Sequence, residues 1–282
     1  MENRILRKTS FISTRKAAVI GAGTVGSSVA YALALRDIAR EIVLIDIDQQ
    51  KCAGEAEDIR HGIASMGTAD LYAGSYADCA DCDLIIESST ENMDKKKELF
   101  SELDKVCKDD AILATNTSAL SITEIAAVTS RPAQVIGMHF MNPVPVMKLV
   151  EVIRGLATSD ETYQIIKEES EALGKVPVEV KDVPGFVSNR VLQIMINEAI
   201  YELYEGVATV EDIDNVMKLG MNHPMGPLQL ADFIGLDTVL AIMNVMYEGY
   251  GDCKYRPCPL IRQYVKAGWL GKKSGRGFYK YA

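Results

Sequence analysis

Lys16-Ala-Ala-Val-Ile-Gly21-Ala22-Gly23-Thr24-Val25-Gly26 is the stretch on which the reading of the whole chain turns. Ala17 to Ile20 is a short apolar run, as a buried strand requires. Three glycines at the spacing G-x-G-x-x-G follow at once, and Thr24 to Arg36 then carries Val25, Val29, Ala32, Leu33 and Leu35 at positions that pack as one helix. Each glycine has a separate task in a dinucleotide site. Gly21 allows the tight turn, Gly23 lets the backbone approach a pyrophosphate, and Gly26 lets helix and strand pack closely. Amide donors of the helix start, at Ala22, Thr24 and Val25, then face the phosphates. By itself the glycine pattern is weak and fits a tight turn in other α/β folds. A second strand, Glu41 to Ile45, ends on Asp46, 20 residues after Gly26. An acid at that distance is where an adenosine ribose is held, so the context supports the dinucleotide reading.

The chain continues as an alternation. A helix is expected over Gln49 to His61, with Gly62 as its C-cap, and a strand over Asp70 to Gly74. Further strands are expected at Asp83–Glu87, Ala111–Thr115, Gln134–Phe140 and Pro177–Val180. Helices are expected at Asp94–Val106, Ser121–Val128 and Thr158–Gly174. Strands alternating with helices predict an α/β fold with a doubly wound, Rossmann-type, mostly parallel sheet. Asp182-Val-Pro184-Gly185 marks a boundary. Beyond it the patterns are helical, at Phe186–Gly206, Val210–Leu219, Gly235–Tyr250 and Leu260–Ala267. The expected organisation is an extension over residues 1–15, a nucleotide-binding domain over 16–183, and a C-terminal all-α domain over 184–282 for substrate and dimerisation.

Composition bounds the function. The 282 residues are 48% hydrophobic and 24% charged, with a net charge of −9. That acidity argues against general nucleic-acid binding, and no apolar run is long enough to span a membrane. The six cysteines show no framework spacing and read as reduced thiols, the Cys79-x-x-Cys82 pair included. Residues 1–15 carry Arg4, Arg7, Lys8 and Arg15. They read as a frayed extension, with an organelle transit remnant as the alternative. The expected location is cytoplasmic, or an organelle matrix under that alternative.

Gly137-Met-His139-Phe-Met-Asn142-Pro143-Val-Pro145-Val-Met-Lys-Leu-Val-Glu151 breaks the alternation. Two apolar runs flank a turn with two prolines. A hairpin symmetric about Pro145 would set His139 opposite Glu151, within side-chain reach. A carboxylate on one ring nitrogen fixes the tautomer and makes the other a better base. A core histidine with an exposed glutamate fits the spacing equally well, because register is not visible in sequence.

From about residue 83 to the C-terminus the chain resembles the short-chain L-3-hydroxyacyl-CoA dehydrogenases. The stretches that carry this are Asn116-Thr-Ser118-Ala-Leu-Ser, Gly137-Met-His139-Phe-Met-Asn142-Pro143, Val183-Pro-Gly-Phe-Val-Ser-Asn189-Arg190, His223-Pro-Met-Gly-Pro-Leu and Gly268-Trp-Leu-Gly-Lys-Lys273-Ser-Gly-Arg-Gly-Phe-Tyr. The resemblance implies NAD as cofactor and hydride transfer between a 3-hydroxyacyl-CoA and its 3-keto form, with 3-hydroxybutyryl-CoA as the expected substrate. It implies His139 as catalytic base, Glu151 as its partner, and Ser118 and Asn189 on the substrate's oxygens. Glu91, Lys96, Ser118, Asn142 and Lys273 are implied near the NAD, and a homodimer through the C-terminal helices is implied as well.

Residues 17 to about 82 look instead like an L-lactate dehydrogenase, in Gly21-Ala-Gly-Thr-Val-Gly-Ser-Ser-Val-Ala-Tyr and Gly54-Glu-Ala-Glu-Asp58-Ile-Arg60-His61-Gly62. The chain thus reads as a mosaic, natural or engineered. Hydroxyacyl-CoA dehydrogenases insert a helical hairpin with coenzyme A contacts after the second strand. This interval holds one shorter helix, with no position that matches those contacts. Two other functions stay open. A lactate- or malate-like dehydrogenase suits the front end, yet no G-x-H-G-[DE] motif is present, and His61 and His223 sit in other contexts. A non-catalytic, crystallin-like or NAD-sensing role would bind NAD without turnover.

Overall fold

The computed structural model describes residues 16–281; the expected N-terminal extension lies outside the described residues. Contacts divide the chain into two compact units, which meet in sequence at Asp182 and Val183.

The first unit is built on strand β1 (Lys16–Ile20), every residue of which is buried. Helix α1 (Thr24–Leu35) returns the chain to β2 (Glu41–Ile45), and α2 (Gln49–Ile63) leads on to β3 (Asp70–Ala73). The chain then crosses to the other side of β1. There β4 (Leu84–Glu87), α3 (Met93–Val106), β5 (Ile112–Thr115), α4 (Ile122–Ala126) and β6 (Val135–Phe140) follow. A hairpin gives β7 (Leu149–Arg154), and α5 (Asp160–Ala172) precedes β8 (Val176–Lys181). The eight strands lie in the order β3-β2-β1-β4-β5-β6-β7-β8. All neighbours are parallel except β6 and β7. Strands β1, β4, β5 and β6 are buried throughout, which is why they read as unbroken apolar runs rather than alternating ones. Chain direction across the sheet reverses between β1 and β4, and ligands of such sheets bind outside the strand ends at this point. The mostly parallel, doubly wound sheet expected from the sequence is the one observed.

Gly62 is not a cap. Helix α2 runs past it to Ile63 and is capped by Ala64. A Cβ at Gly62 would stand 3.3 Å from the Tyr31 ring, so its small size serves packing against α1.

The second unit is helical: α6 (Ser188–Glu205), α7 (Val210–Asn215), α8 (Pro227–Ile234), α9 (Leu236–Tyr250) and α10 (Pro259–Lys266). Its core gathers Ile196, Ile200, Leu228, Leu236, Val239 and Ile261. Helix α8 escaped the sequence reading. It is only eight residues long and opens on Pro227, within a motif otherwise full of turn-formers. The glycine-rich C-terminal motif is latched by two buried acids. Asp232 accepts from the amides of Phe278 and Tyr279 and from the Tyr281 hydroxyl, at 2.8–3.0 Å. Asp214 accepts from the Leu228 and Gln229 amides and the Tyr279 hydroxyl. A Cβ at Gly277 would fall 1.9 Å from the Asp232 carboxylate, so that glycine is required by the latch.

A Cβ at Gly26 would meet the Gly21 carbonyl oxygen at 1.8 Å. Gly26→Ala is therefore expected to destabilise the first unit by about 1–3 kcal/mol, the range for overpacking a tight contact. The fall should show in the urea midpoint; an unchanged midpoint would contradict the packing account.

Candidate active site

The turn after β1 has the shape a dinucleotide needs. Gly21 has φ +103°, and a Cβ there would lie 2.6 Å from the Ser88 carbonyl oxygen. Side chains rarely adopt that backbone conformation, so glycine is needed at this point. At Gly23 an added Cβ would meet no protein atom within 4 Å, and Gly23 lines two cavities. A side chain there would fill space the protein leaves open. Gly23 also caps α1 without any side-chain bond, and the first turn of α1 carries no acid. The amides of Thr24 and Val25 are thus unscreened donors at a helix start, the arrangement that binds phosphate. These observations fit a bound dinucleotide.

Asp46 stands at the end of β2. Its carboxylate accepts from the Ala22 amide at 2.7 Å and from the Asp48 amide at 2.9 Å. It therefore ties the glycine turn to β2 while keeping lone pairs for a ligand. With Gly21, Gly23, Ile47, Lys51 and Tyr76 it lines a cavity of about 740 Å³, large enough for a nucleoside. The smaller cavity, about 280 Å³, is lined by Gly23, Thr24, Val25, Glu91, Lys96, Asn116 and Ser118 among others. Of the residues expected near NAD, the glycine turn and Asp46 from the motif and Glu91, Lys96 and Ser118 from the resemblance are thus gathered around these two adjoining spaces.

Lys96 is not a free cation in that space. Its ammonium is buried and sits 2.5 Å from the Glu87 carboxylate. Glu87 also accepts from Thr115 Oγ1 at 2.7 Å and from the Ser89 amide and hydroxyl at 2.8 and 2.6 Å. Burial pushes the Glu87 carboxyl up. The Lys96 charge and the bonds from Lys96, Ser89 and Thr115 outweigh it and hold the group below the usual carboxylate range. Sequence reasoning passed over Glu87. Its signal was an acid closing an apolar strand at the switch point.

The β6–β7 hairpin places His139 directly opposite Glu151. Both are buried, and His139 Nδ1 lies 2.8 Å from Glu151 Oε2. The carboxylate accepts a hydrogen bond from Nδ1–H, so Nε2 is left as the acceptor. Asn116 holds this strand in place: its amide donates to the Glu87 carbonyl at 2.7 Å, its Oδ1 accepts from the Phe140 amide at 2.8 Å, and its Nδ2 donates to Ser88 Oγ at 3.3 Å. Asn142 is exposed in the turn beyond β6.

In the helical unit, Asn189 lies buried in the first turn of α6, where its side-chain oxygen accepts from Gln193. Lys273 is paired with Asp237 at 2.6 Å. All six cysteines are free thiols. No metal-binding cluster exists among the described residues, and no single helix there is long and apolar enough to cross a membrane.

A glycine turn under a helix start, an acid at the second strand end and a buried His–Glu pair define a dinucleotide-dependent oxidoreductase by fold and site. The model of the 3-hydroxyacyl-CoA dehydrogenase NAD-binding domain matches residues 16–183, and that of the family's C-terminal domain matches residues 185–281. The chain belongs to the 3-hydroxyacyl-CoA dehydrogenase family. The first match takes in residues 17–82 as well, so the stretch that looks like an L-lactate dehydrogenase lies inside the family's NAD-binding domain. A probable 3-hydroxybutyryl-CoA dehydrogenase of Bacillus subtilis is 55% identical over 277 residues, covering 93% of this chain and 96% of the relative. The mitochondrial hydroxyacyl-coenzyme A dehydrogenase of Homo sapiens is 40% identical over 292 residues, covering 96% and 92%. The crystal structure of (S)-3-hydroxybutyryl-CoA dehydrogenase from Ralstonia eutropha superposes with a TM-score of 0.87 at 46% identity, covering 96% of this chain and all of that one.

NAD is the cofactor of this family's nucleotide domain. Asp46 would repel a 2′-phosphate, a like-charge contact worth about 4 kcal/mol at close range near a protein surface. NADH is expected to exceed NADPH in kcat/KM by at least about a hundredfold, and Asp46→Ser should narrow the gap. Equal efficiencies in the unsubstituted enzyme would contradict the role of Asp46.

Proposed function

We infer that the protein interconverts (S)-3-hydroxyacyl-CoA and 3-ketoacyl-CoA, with 3-hydroxybutyryl-CoA and acetoacetyl-CoA as its pair. The observation that carries this is the buried His139–Glu151 contact at 2.8 Å, set in the nucleotide domain of this family. In the oxidation direction His139 Nε2 takes the proton from the C3 hydroxyl, and Glu151 stabilises the imidazolium that results. NAD, when bound, supplies the hydride acceptor. Ser118 orients the C3 oxygen and polarises it. Asn189 takes the substrate-holding role that the family resemblance gives it, and Asn142 and Lys273 take their cofactor-side roles on the same ground.

The coenzyme A handle is weakly served by the first unit. Helix α2 is a single helix whose basic side chains are Lys51 and Arg60, with His61 beside them, against Glu55, Glu57 and Asp58. Arg60 and His61 both lean on Glu57, at 2.9 and 3.2 Å. Apolar side chains stand exposed on the helical unit at Val191, Tyr204, Val207, Leu219 and Phe233. They suit a homodimer formed through this unit. The acidic chain, with no single membrane-crossing helix among the described residues, suits a cytoplasmic enzyme acting without nucleic acid or membrane.

The test is NADH oxidation with acetoacetyl-CoA. His139→Gln should lower kcat by about 10² to 10⁴, the usual cost of losing a positioned base, with NADH affinity nearly intact. Wild-type turnover in that variant would remove His139 from the mechanism. Activity with 2-keto acids but not acetoacetyl-CoA would favour the lactate-like reading. Running the assay with the pantetheine thioester reads the handle, whose loss should change kcat/KM little.

A further inference from the structure

We propose that Glu91 is the positioning residue for Ser118: its carboxylate fixes the turn after β5 that presents this serine. The inference rests on the substrate role proposed for Ser118.

One oxygen of Glu91 closes the whole turn. Glu91 Oε1 accepts from Thr117 Oγ1 at 2.6 Å, from the Ser118 amide at 2.9 Å and from the Ala119 amide at 3.0 Å. Thr117 Oγ1 in turn accepts from the Leu120 amide at 3.0 Å. Three consecutive residues thus aim donors at a single anionic acceptor, the concave arrangement in which backbone amides hold an anion. Charge-assisted bonds of this kind are the strong ones.

The peg itself is fixed at both sides. Two residues before it, Ser89 is bonded twice to the buried Glu87. One residue after it, Asn92 caps α3 by accepting from the Lys95 amide at 3.0 Å. The turn it holds begins at Asn116, which is locked to the Phe140 amide next to His139. Glu91 and Asn116 therefore fix Ser118 relative to the strand that carries the base. A carboxylate beside the phosphate-binding turn would repel phosphates. The three donors on Oε1 offset that charge, which is how an acid is tolerated in this cavity.

The test compares Glu91→Ala, Glu91→Gln and Ser118→Ala, alone and combined, by NADH affinity (fluorescence) and by kcat with acetoacetyl-CoA. Misplacing a substrate-orienting group costs up to about a hundredfold, so Glu91→Ala should lose about 10- to 100-fold in kcat at saturating NADH. Glu91→Gln keeps an acceptor oxygen and should recover most of that loss. In the Ser118→Ala background the alanine change should cost less than about threefold, because there is no hydroxyl left to misplace. If Glu91→Ala folds poorly, Thr117→Val removes one donor and should give a smaller loss of the same kind. The proposal is overturned if Glu91→Ala weakens NADH binding tenfold with kcat at saturation intact, or if its cost is undiminished without the serine hydroxyl. An unchanged kcat in Ser118→Ala removes the serine's role and the proposal with it. No turnover by the unsubstituted enzyme would instead count against the proposed function.

Discussion

The register of one antiparallel strand pair carries the chemistry proposed for this protein. His139 on β6 and Glu151 on β7 are cross-strand partners, and a slip of one residue would send both side chains to opposite faces. The pairing is held from both sides. Strand β7 is paired along its length with β8, from Leu149↔Val176 to Arg154↔Lys181. Strand β6 is paired with β5, from Leu113↔Val135 to Thr115↔Gly137. A Cβ at Gly137 would stand 2.9 Å from Ile153, so close approach of the two strands is built into the sequence as well. The pair is buried, which strengthens its electrostatics and keeps the imidazole in one tautomer.

Acids organise the rest of the site. Asp46 secures the glycine turn, Glu87 secures Lys96 and the loop after β4, and Glu91 secures the turn at Ser118. Asp46 follows the last residue of β2, Glu87 is the last residue of β4, and Glu91 lies in the loop beyond it, where parallel strands leave their last carbonyls and the connecting loops begin. Each accepts from backbone or buried donors that would otherwise lack partners. The strand ends of a parallel sheet become a rigid rim in this way, and the two cavities open on that rim.

Much of this was legible in the sequence, for physical reasons particular to each element. The β1–α1 turn was legible because its three glycines each answer a steric demand, and the structure shows two of them blocked by backbone atoms. The buried strands were legible as apolar runs between turn residues. From spacing alone the His139–Glu151 pair was legible only as one of two possibilities, since hydrogen-bond register leaves no trace in composition; the family resemblance selected it. Glu87 and Asn116 were missed as site organisers, because a polar residue at a strand end looks the same whether it faces water or a buried lysine. Lys96 was read as lying near the cofactor, without its salt bridge, because nothing in the sequence indicates what a lysine on the first turns of α3 is paired with. Helix α8 was missed because its length gives too few turns for a periodic signal.

The central claim is that His139 and Glu151 act as one unit in proton transfer. The direct measurement is a double-substitution cycle on the rate of acetoacetyl-CoA reduction, using His139→Gln, Glu151→Gln and both together. Groups that act as a unit are strongly non-additive. The account predicts that the double variant is no slower than His139→Gln alone. A double variant whose loss equals the product of the two single losses would contradict it.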